Sequence, residues 1–475
     1  MSETDFLQIL PAAFLALWAV LILLVDLWLP LEKKGWTVLL AAIGLAVSLG
    51  LSLSQKVTGL TAFGGMITVD RMAIFFNSFF TLAGLLSMAL AVDYLRRMKI
   101  NHSEYYPLLL ISISGMMLMT SASHLLIVFL ALEMFSIPLY ILCGFNLQNG
   151  SSAEAALKYF LLGAFSSGFL LFGIALTFGA TGSMQFTEIA ASISAGDAQP
   201  VYLMLGGAFL LIGLAFKVAV VPFHMWVPDV YQGAPTPVVA FMAVCTKAAG
   251  FAVLIRLFST VYPADALQFT TLFWVLAAVT MITGNVLALL QKNIKRMLAY
   301  SSIAHAGYMF MVLAVFSQTD LLKDGIQSIL LYLMVYAITS FGTWAVVVQV
   351  EKDQQQGLEL NDYAGLWKTA PWMALSMLAF MLSFTGLPFS LGLIGKLFLF
   401  RTALAGGFTI LAVIGLLASL VSAFYYLRLV MIMFMQPGEP KLSGELWTQW
   451  ITLAAMILVV GLSFFPGLLI GLIGY

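Results

Sequence analysis

Four lysines lie where the sequence is otherwise apolar, and they are the residues best placed to do chemistry. Lys158, Lys217, Lys247 and Lys396 each fall within a long apolar segment, away from the polar stretches that hold the other basic residues. A lysine at the centre of a membrane helix costs on the order of 2.5–3.5 kcal/mol on insertion scales. Burial disfavours the ammonium form and a nearby carboxylate favours it, so such a lysine can be poised to exchange a proton. The pattern therefore indicates proton transfer.

One acid and two histidines share this unusual placement. Glu133 lies about midway along an apolar stretch, where an unpaired carboxylate is costly, so we expect it to pair with Lys217 or Lys247. His305 lies near the centre of another apolar segment, and His224 follows a helix break. Chains of Glu, Lys and His bridged by water form proton relays in pumps. Both histidines could instead be hydrogen-bonded core residues, and both interpretations stay open.

Two of the lysines also have a simpler interpretation. Glu154 precedes Lys158 by one helical turn, a spacing at which an ion pair merely stabilises the helix. Lys396 is in the outer half of its segment, from which its side chain could extend to the membrane surface. Lys217 and Lys247 lie close to the middle of their segments, so this second explanation fits them poorly.

The composition defines the class of protein that must position these residues. Of 475 residues 62% are hydrophobic and 9% are charged, which is typical of a polytopic membrane protein. The 21 basic and 21 acidic residues cancel, so nucleic-acid binding is not indicated. The two cysteines, Cys143 and Cys245, lie inside apolar runs, and no Cys/His cluster with metal spacing, Gly-rich phosphate loop or Ser-His-Asp pattern is visible. We therefore expect neither redox nor hydrolytic chemistry in this chain.

Hydropathy predicts an all-helical membrane protein of about fourteen transmembrane helices. The apolar segments lie near 7–29, 37–55, 72–92, 106–120, 122–146, 154–180, 201–228, 236–259, 267–290, 297–317, 325–350, 371–402, 405–434 and 448–472. Pro222 interrupts the seventh segment just after Lys217, and Gly386-Leu-Pro388 interrupts the twelfth just before Lys396. Broken helices in corresponding positions of two halves are typical of transporter sites.

The distribution of basic residues predicts the orientation. Twelve of them, Lys295 and Arg296 included, follow odd-numbered segments, and five follow even-numbered segments. Basic residues are enriched in cytoplasmic loops, so this excess predicts that the loops after odd-numbered segments lie in the cytoplasm and that both termini lie outside. The linker Glu351–Asp362 and the loop near 181–200 are expected to be solvated and without chemistry of their own.

Three stretches resemble the antiporter-like membrane subunits of respiratory complex I. They are Pro222-Phe-His-Met-Trp-Val-Pro-Asp-Val-Tyr-Gln-Gly-Ala-Pro235, Asn293-Ile-Lys-Arg-Met-Leu-Ala-Tyr-Ser-Ser-Ile-Ala-His305 and Gly386-Leu-Pro-Phe-Ser-Leu-Gly-Leu-Ile-Gly-Lys396. The residues Asp-Val-Tyr-Gln-Gly-Ala-Pro are similar to the sequence of subunit N, the counterpart of mitochondrial subunit 2. The sister subunits L and M have different residues after the tryptophan. The likeness runs over nearly the whole chain.

The resemblance implies two inverted five-helix repeats, helices four to eight and nine to thirteen, with helices seven and twelve broken. The corresponding domains are three N-terminal helices in 1–105, a first repeat in 106–260, a second repeat in 261–435 and a C-terminal helix in 436–475. The repeat relationship follows from the resemblance and not from the residues themselves.

The resemblance also implies roles for the candidate residues. Glu133 and Lys217 would form the central carboxylate–lysine pair, and Lys247 would connect two half-channels. His305 would lie between those half-channels, and Lys396 would serve the exit toward the outside. Glu154, Lys158 and His224 match family positions with less defined roles.

The activity implied is proton translocation as a subunit of NADH:quinone oxidoreductase, or of a close ferredoxin-driven relative, in the bacterial inner membrane. NADH, FMN, iron–sulfur clusters and quinone would belong to partner subunits, and this chain would hold no cofactor or metal. The expected partners are the membrane subunits M, L, J and K and the peripheral redox arm. Two alternatives stay open: a subunit of a multisubunit cation/proton antiporter, and a non-conducting membrane scaffold.

Overall fold

The computed structural model describes residues 3–30, 34–57, 61–262, 266–352 and 356–473, and over these residues the chain is almost entirely helical. The first helices are α1 Glu3–Asp26, α2 Gly35–Ser54, α3 Arg71–Arg97, α4 Tyr105–Ser121, α5 Leu125–Cys143, α6 Gly150–Thr181, α7 Phe186–Ala195, α8 Pro200–Val218, α9 Trp226–Gly233 and α10 Thr236–Arg256. The later helices are α11 Ala266–Leu289, α12 Ile294–Leu313, α13 Thr319–Val350, α14 Leu366–Thr369, α15 Pro371–Thr385, α16 Leu391–Ala405, α17 Thr409–Met435, α18 Leu446–Phe464 and α19 Pro466–Ile473.

Among the described helices, twelve are long and apolar enough to cross a membrane, and α4 and α15 are shorter apolar helices. Each of the fourteen predicted segments overlaps one of these helices. The prediction of an all-helical polytopic membrane protein is therefore confirmed. The exact number of crossings and the two repeats stay predictions.

Both predicted helix breaks are confirmed. The seventh segment is divided into α8 and α9, and the residues between them include Ala219 with a φ of 63° and a cis peptide bond between Val221 and Pro222. The twelfth segment is divided into α15 and α16, and α15 ends at Gly386, whose φ is 79°. Each break contains a proline, which cannot donate the helical hydrogen bond.

Three local predictions differ from the structure. The strands β1 Thr61–Ala62 and β2 Ile67–Thr68 form an antiparallel hairpin that the apolar pattern did not indicate. The loop near 181–200 contains the short helix α7, and the last segment breaks between α18 and α19 beside Pro466. These elements are too short to leave a helical or alternating period that a sequence window can detect.

Contacts divide the chain into two compact units, each with its own core. The first comprises Met1–Met88, Asn101–Val218 and Cys245–Asp265, and the second comprises Ala89–Ile100, Ala219–Val244 and Ala266–Tyr475. In the first unit, α6 packs along α8, and α4 packs on α5. In the second, α11 packs on α12, and α13 packs on α16 and α18. The predicted division at residues 105, 260 and 435 follows repeats rather than contacts, so it stays a prediction.

Small residues permit the close approach of α6 and α8. A Cβ atom at Gly173 would lie 2.6 Å from the backbone nitrogen of Leu210, and one at Gly206 would lie 2.9 Å from the backbone nitrogen of Thr177. Small side chains at helix crossings let membrane helices pack backbone to backbone. This crossing fixes α8, the helix that carries Lys217 in its last turn.

Candidate functional site

Lys217 is a fully buried residue in the last turn of α8, directly before the first helix break. It lies in the middle of the predicted seventh segment but at the end of the actual helix. Its ammonium nitrogen is 2.8 Å from Ser136 Oγ and 3.5 Å from the Tyr140 hydroxyl, both on α5. These hydroxyls accept hydrogen bonds that a buried ammonium group needs in place of water.

Aromatic rings complete the surroundings of Lys217. Its Nζ lies 5.3–5.5 Å from the ring centroids of Phe135, Tyr140, Tyr159 and Phe216. A cation within about 6 Å of a ring face is attracted by the ring quadrupole. The rings therefore stabilise a positive charge here without supplying a second formal charge.

Glu133 lies on α5 three residues before Ser136, and it is half-buried. Its carboxylate accepts a hydrogen bond from Ser167 on α6. Among the described residues Glu133 and Lys217 form no direct ion pair. The predicted partners are therefore bound to different hydroxyl groups, Lys217 to those of α5 and Glu133 to that of Ser167 on α6, and no salt bridge joins them within the described residues.

Lys247 is buried at mid-length in α10, a helix whose most apolar stretch is buried throughout. One turn later Gly250 lies against the end of α8, where a Cβ atom would be 2.6 Å from Val218 Cγ1 and 3.6 Å from Lys217 Cβ. Within the first unit, the two central lysines are therefore carried by helices in direct contact.

His305 is buried in α12 between two tyrosine hydroxyls of the second unit. Its Nδ1 is 2.6 Å from the Tyr332 hydroxyl, and its Nε2 is 3.1 Å from the Tyr426 hydroxyl. Because the two tyrosines can donate or accept, they fit either tautomer of the imidazole. Tyr426 is bonded in turn to Ser301, one turn before His305.

A small cavity extends from His305 toward the second helix break. Its volume is about 10 Å³, and its polar lining includes Tyr336, Thr339 and Ser383. A cavity of this size with several polar neighbours can hold about one water molecule. The Ser383 hydroxyl also accepts a hydrogen bond from the Gly392 amide, so the polar lining reaches the start of α16.

Lys396 is buried in α16 and directed at the end of α15. Its Nζ donates to the carbonyl oxygens of Phe384 and Thr385 at 2.9 and 2.8 Å, and to Ser419 Oγ at 2.7 Å. The last carbonyls of a helix lack intrahelical partners and carry negative partial charge, so an ammonium group is stabilised there. The second break thus produces the acceptor site that its neighbouring lysine occupies.

The three remaining candidate residues are less buried than the central lysines. Glu154 and Lys158 form an exposed ion pair of 2.7 Å along α6, with exposed side-chain fractions of 64% and 41%. This geometry favours the helix-stabilising interpretation, although Lys158 has further interactions. His224 lies half-buried in the first break, and its Nδ1 has no hydrogen-bond partner within the described part of the chain.

The structure adds a buried pair that the sequence interpretation assigned to solvated loops. Lys295 and Glu351 have side chains only 1% and 4% exposed, and their charged atoms are 3.7 Å apart. The expectation that 351–362 is a bland solvated linker is therefore wrong at its first residue. Glu351 directly follows a long apolar helix and Lys295 is the second residue of another, and these positions were the available signals.

Comparisons with known proteins identify the family to which this chain is similar. The NADH:quinone oxidoreductase/Mrp antiporter transmembrane family matches residues 122–422. NADH-quinone oxidoreductase subunit N of Trichlorobacter lovleyi is 42% identical over 97% of this chain and 94% of its own length. A chain of Thermus thermophilus respiratory complex I is 36% identical, with a TM-score of 0.83 over 97% of this chain and 98% of that chain.

A chain of the Mrp complex from Dietzia has a TM-score of 0.86 over 100% of this chain and 97% of that chain. Because the two sequences are only 20% identical, this structural likeness shows a shared fold and nothing more. The resemblance stated from the sequence motifs is confirmed by the full-length relatives. The chain belongs to the NADH:quinone oxidoreductase/Mrp antiporter transmembrane family and, within it, to the NADH-quinone oxidoreductase subunit N proteins.

Proposed function

We propose that this chain is a proton-translocating membrane subunit of an NADH:quinone oxidoreductase. The observation that carries the proposal is the setting of Lys217, an ammonium group fully buried between hydroxyls and aromatic rings at the end of a broken helix. The full-length likeness to subunit N proteins supports the assignment to this complex. Proton transfer requires groups that can exist both charged and neutral inside the membrane, and buried lysines meet that requirement.

In the proposed mechanism a proton enters from the cytoplasmic side and is held first at Lys217. The hydroxyls of Ser136 and Tyr140 bind the ammonium form, and a charged Glu133 favours it electrostatically. Neutralising Glu133, or moving it away, removes that stabilisation and drives the proton onward. The loosened backbone after α8 admits the internal water that such transfer needs.

The second half of the proposed path runs through Lys247 and His305 to Lys396. His305 can pass a proton because its two ring nitrogens face different hydroxyls. Lys396 holds the proton against the end of α15 until it leaves toward the outside. Glu154, Lys158 and His224 belong to the proposed path as supporting groups at its cytoplasmic side and first break.

In this proposal the redox reaction takes place in partner subunits and proton transfer takes place in this chain. This chain would hold no cofactor or redox centre, and NADH, FMN, iron–sulfur clusters and quinone would bind elsewhere in the complex. Its neighbours would be membrane subunits M, L, J and K and the peripheral arm. The chain would span the bacterial inner membrane with both termini outside, as the excess of basic residues after odd-numbered segments favours.

Substitution of the first proton-holding group tests the proposal. We expect Lys217→Ala and Glu133→Ala to lower proton pumping and coupled quinone reduction together, because the complex cannot turn over without moving protons. Pumping and electron transfer would be measured in membrane vesicles containing the whole complex, with assembly checked on native gels. Lys441→Ala, which removes an exposed lysine, is the matched control.

Normal rates and a normal proton-to-electron ratio in both variants would contradict the proposed function. The scaffold alternative predicts loss of assembly or no effect in the same experiment. The antiporter alternative predicts sodium-dependent proton exchange without electron transfer, and the likeness in fold to the Dietzia chain does not by itself favour it.

A further inference from the structure

Two helix ends meet at residues 234–236 in the second unit. Helix α9 ends at Gly233 and is capped by Ala234, whose carbonyl lies beyond the last helical hydrogen bond. Helix α10 begins at Thr236, and Pro235 alone separates it from the cap. A helix end carries unpaired carbonyls with negative partial charge, and a helix start carries unpaired amides with positive partial charge.

The buried pair Lys295 and Glu351 complements these two ends. Lys295 Nζ donates a hydrogen bond of 2.7 Å to the Ala234 carbonyl at the end of α9. The Glu351 carboxylate accepts a hydrogen bond from the Thr236 hydroxyl at the start of α10, and another of 3.3 Å from Tyr94. The cation therefore lies at the negative end of α9 and the anion at the positive end of α10.

Each charge lies at the unfavourable end of its own helix. Lys295 is in the first turn of α12, where a cation is disfavoured, and Glu351 caps the end of α13, where an anion is disfavoured. Burying both also removes their hydration, and apolar side chains of similar volume commonly fill such a space at lower cost. The placement therefore serves the junction between α9 and α10 rather than the helices that carry the two charges.

The junction matters because of what α9 and α10 carry. Helix α9 is the second half of the first broken helix, and α10 carries Lys247 eleven residues after Thr236. Eleven residues are about three turns, so Lys247 and Thr236 lie on one face of α10, about 16 Å apart. Because Thr236 and Lys247 belong to one continuous helix, a shift or rotation at Thr236 would also move the lysine.

We propose that Lys295 and Glu351 are positioning residues for proton transfer, which lock the α9–α10 junction and thereby set the height and rotation of Lys247. The inference rests on the proposed function. It also gives a physical role to Gly-Ala-Pro at the end of the stretch Pro222–Pro235 and to Ile-Lys in the stretch Asn293–His305, because Lys295 donates a hydrogen bond to the Ala234 carbonyl.

The test compares Lys295→Met, Lys295→Arg and the apolar double variant Lys295→Met/Glu351→Leu in the whole complex. The double variant removes the unpaired buried charge left by a single substitution, so assembly and thermal stability should recover. It restores neither the donor to Ala234 nor the acceptor for Thr236. We therefore expect its rates of proton pumping and coupled quinone reduction to stay at least twofold below those of the unaltered complex, whereas Lys295→Arg keeps more than half of those rates.

A double variant that pumps normally would overturn the inference, because packing alone would then be sufficient. The control Asp26→Leu/Lys34→Met removes a partly buried pair of 3.1 Å elsewhere in the chain. An equal loss of pumping in this control would also overturn the inference, since the effect would not depend on the junction.

Lys217→Ala separates this inference from the proposed function. If Lys217→Ala stops pumping and the double variant does not change it, only the positioning role fails. If neither variant changes pumping, the proposed function fails with it.

Discussion

Four aromatic rings surround the Lys217 ammonium group. One of them belongs to Tyr140, which can stabilise the ammonium group through its hydroxyl and through its ring. Its hydroxyl lies at 3.5 Å, the limit of a hydrogen bond, and its ring centroid lies at 5.5 Å. A desolvated cation–ring contact contributes about 1–2 kcal/mol, which corresponds to roughly 5- to 30-fold in an equilibrium. We expect Tyr140→Leu to slow coupled quinone reduction by roughly this factor, while Tyr140→Phe, which keeps the ring, slows it by less than about threefold.

The measurement is the rate of coupled quinone reduction in vesicles at one pH, with assembly confirmed for each variant. Phe165→Leu removes an exposed ring from α6 and serves as the control for loss of an aromatic side chain. Equal rates in Tyr140→Leu and Tyr140→Phe would show that the ring does not stabilise the ammonium group.

At the level of helices, the crossing of α6 and α8 holds Lys217 in place and depends on two glycines. A Cβ atom at Gly173 would clash with the backbone of α8, which cannot move aside as a flexible side chain could. Overpacking of this kind typically costs 1–3 kcal/mol. We expect Gly173→Ala to lower the thermal stability of the assembled complex and to reduce pumping, because α8 is displaced.

Helix α6 supplies its own control for this substitution. Gly179 lies in the same helix with open space around its Cβ position, so Gly179→Ala adds the same methyl group without a clash. Alanine is a better helix former than glycine by about 1 kcal/mol, so this variant should be neutral or slightly more stable. Matching losses in the two variants, measured by thermal unfolding in detergent, would contradict the role of the crossing.

Sequence patterns predicted the features that depend only on residues close together in the chain. Pro222 and Gly386 change what their own backbone can do, so both breaks were visible, as was the charge of Lys217 in an apolar run. The position of Lys295 at the start of an apolar helix was a signal for its burial, but its partners could not be predicted, because Ala234 and Glu351 lie far away along the chain. The tyrosines around His305 come from other helices and were missed for the same reason.

At the scale of the whole molecule, the distribution of charge predicts an orientation that the fold does not determine. Basic residues near short loops favour the cytoplasmic side, and they are concentrated after odd-numbered segments. Lys441 follows the thirteenth predicted segment and Asp197 follows the sixth, and both side chains are exposed. Seven predicted segments separate them, so the two positions are expected on opposite sides of the membrane, and the predicted orientation places Lys441 in the cytoplasm and Asp197 outside.

Cysteine labelling of spheroplasts can test this orientation directly. The native Cys143 and Cys245 are fully buried, so they should contribute little background. We expect a membrane-impermeant thiol reagent to label Asp197→Cys in intact spheroplasts, and to label Lys441→Cys only after the membrane is opened. The reverse order would place both termini in the cytoplasm. It would also reverse the proposed route, so that protons would approach Lys217 from the outside and leave past Lys396 toward the cytoplasm.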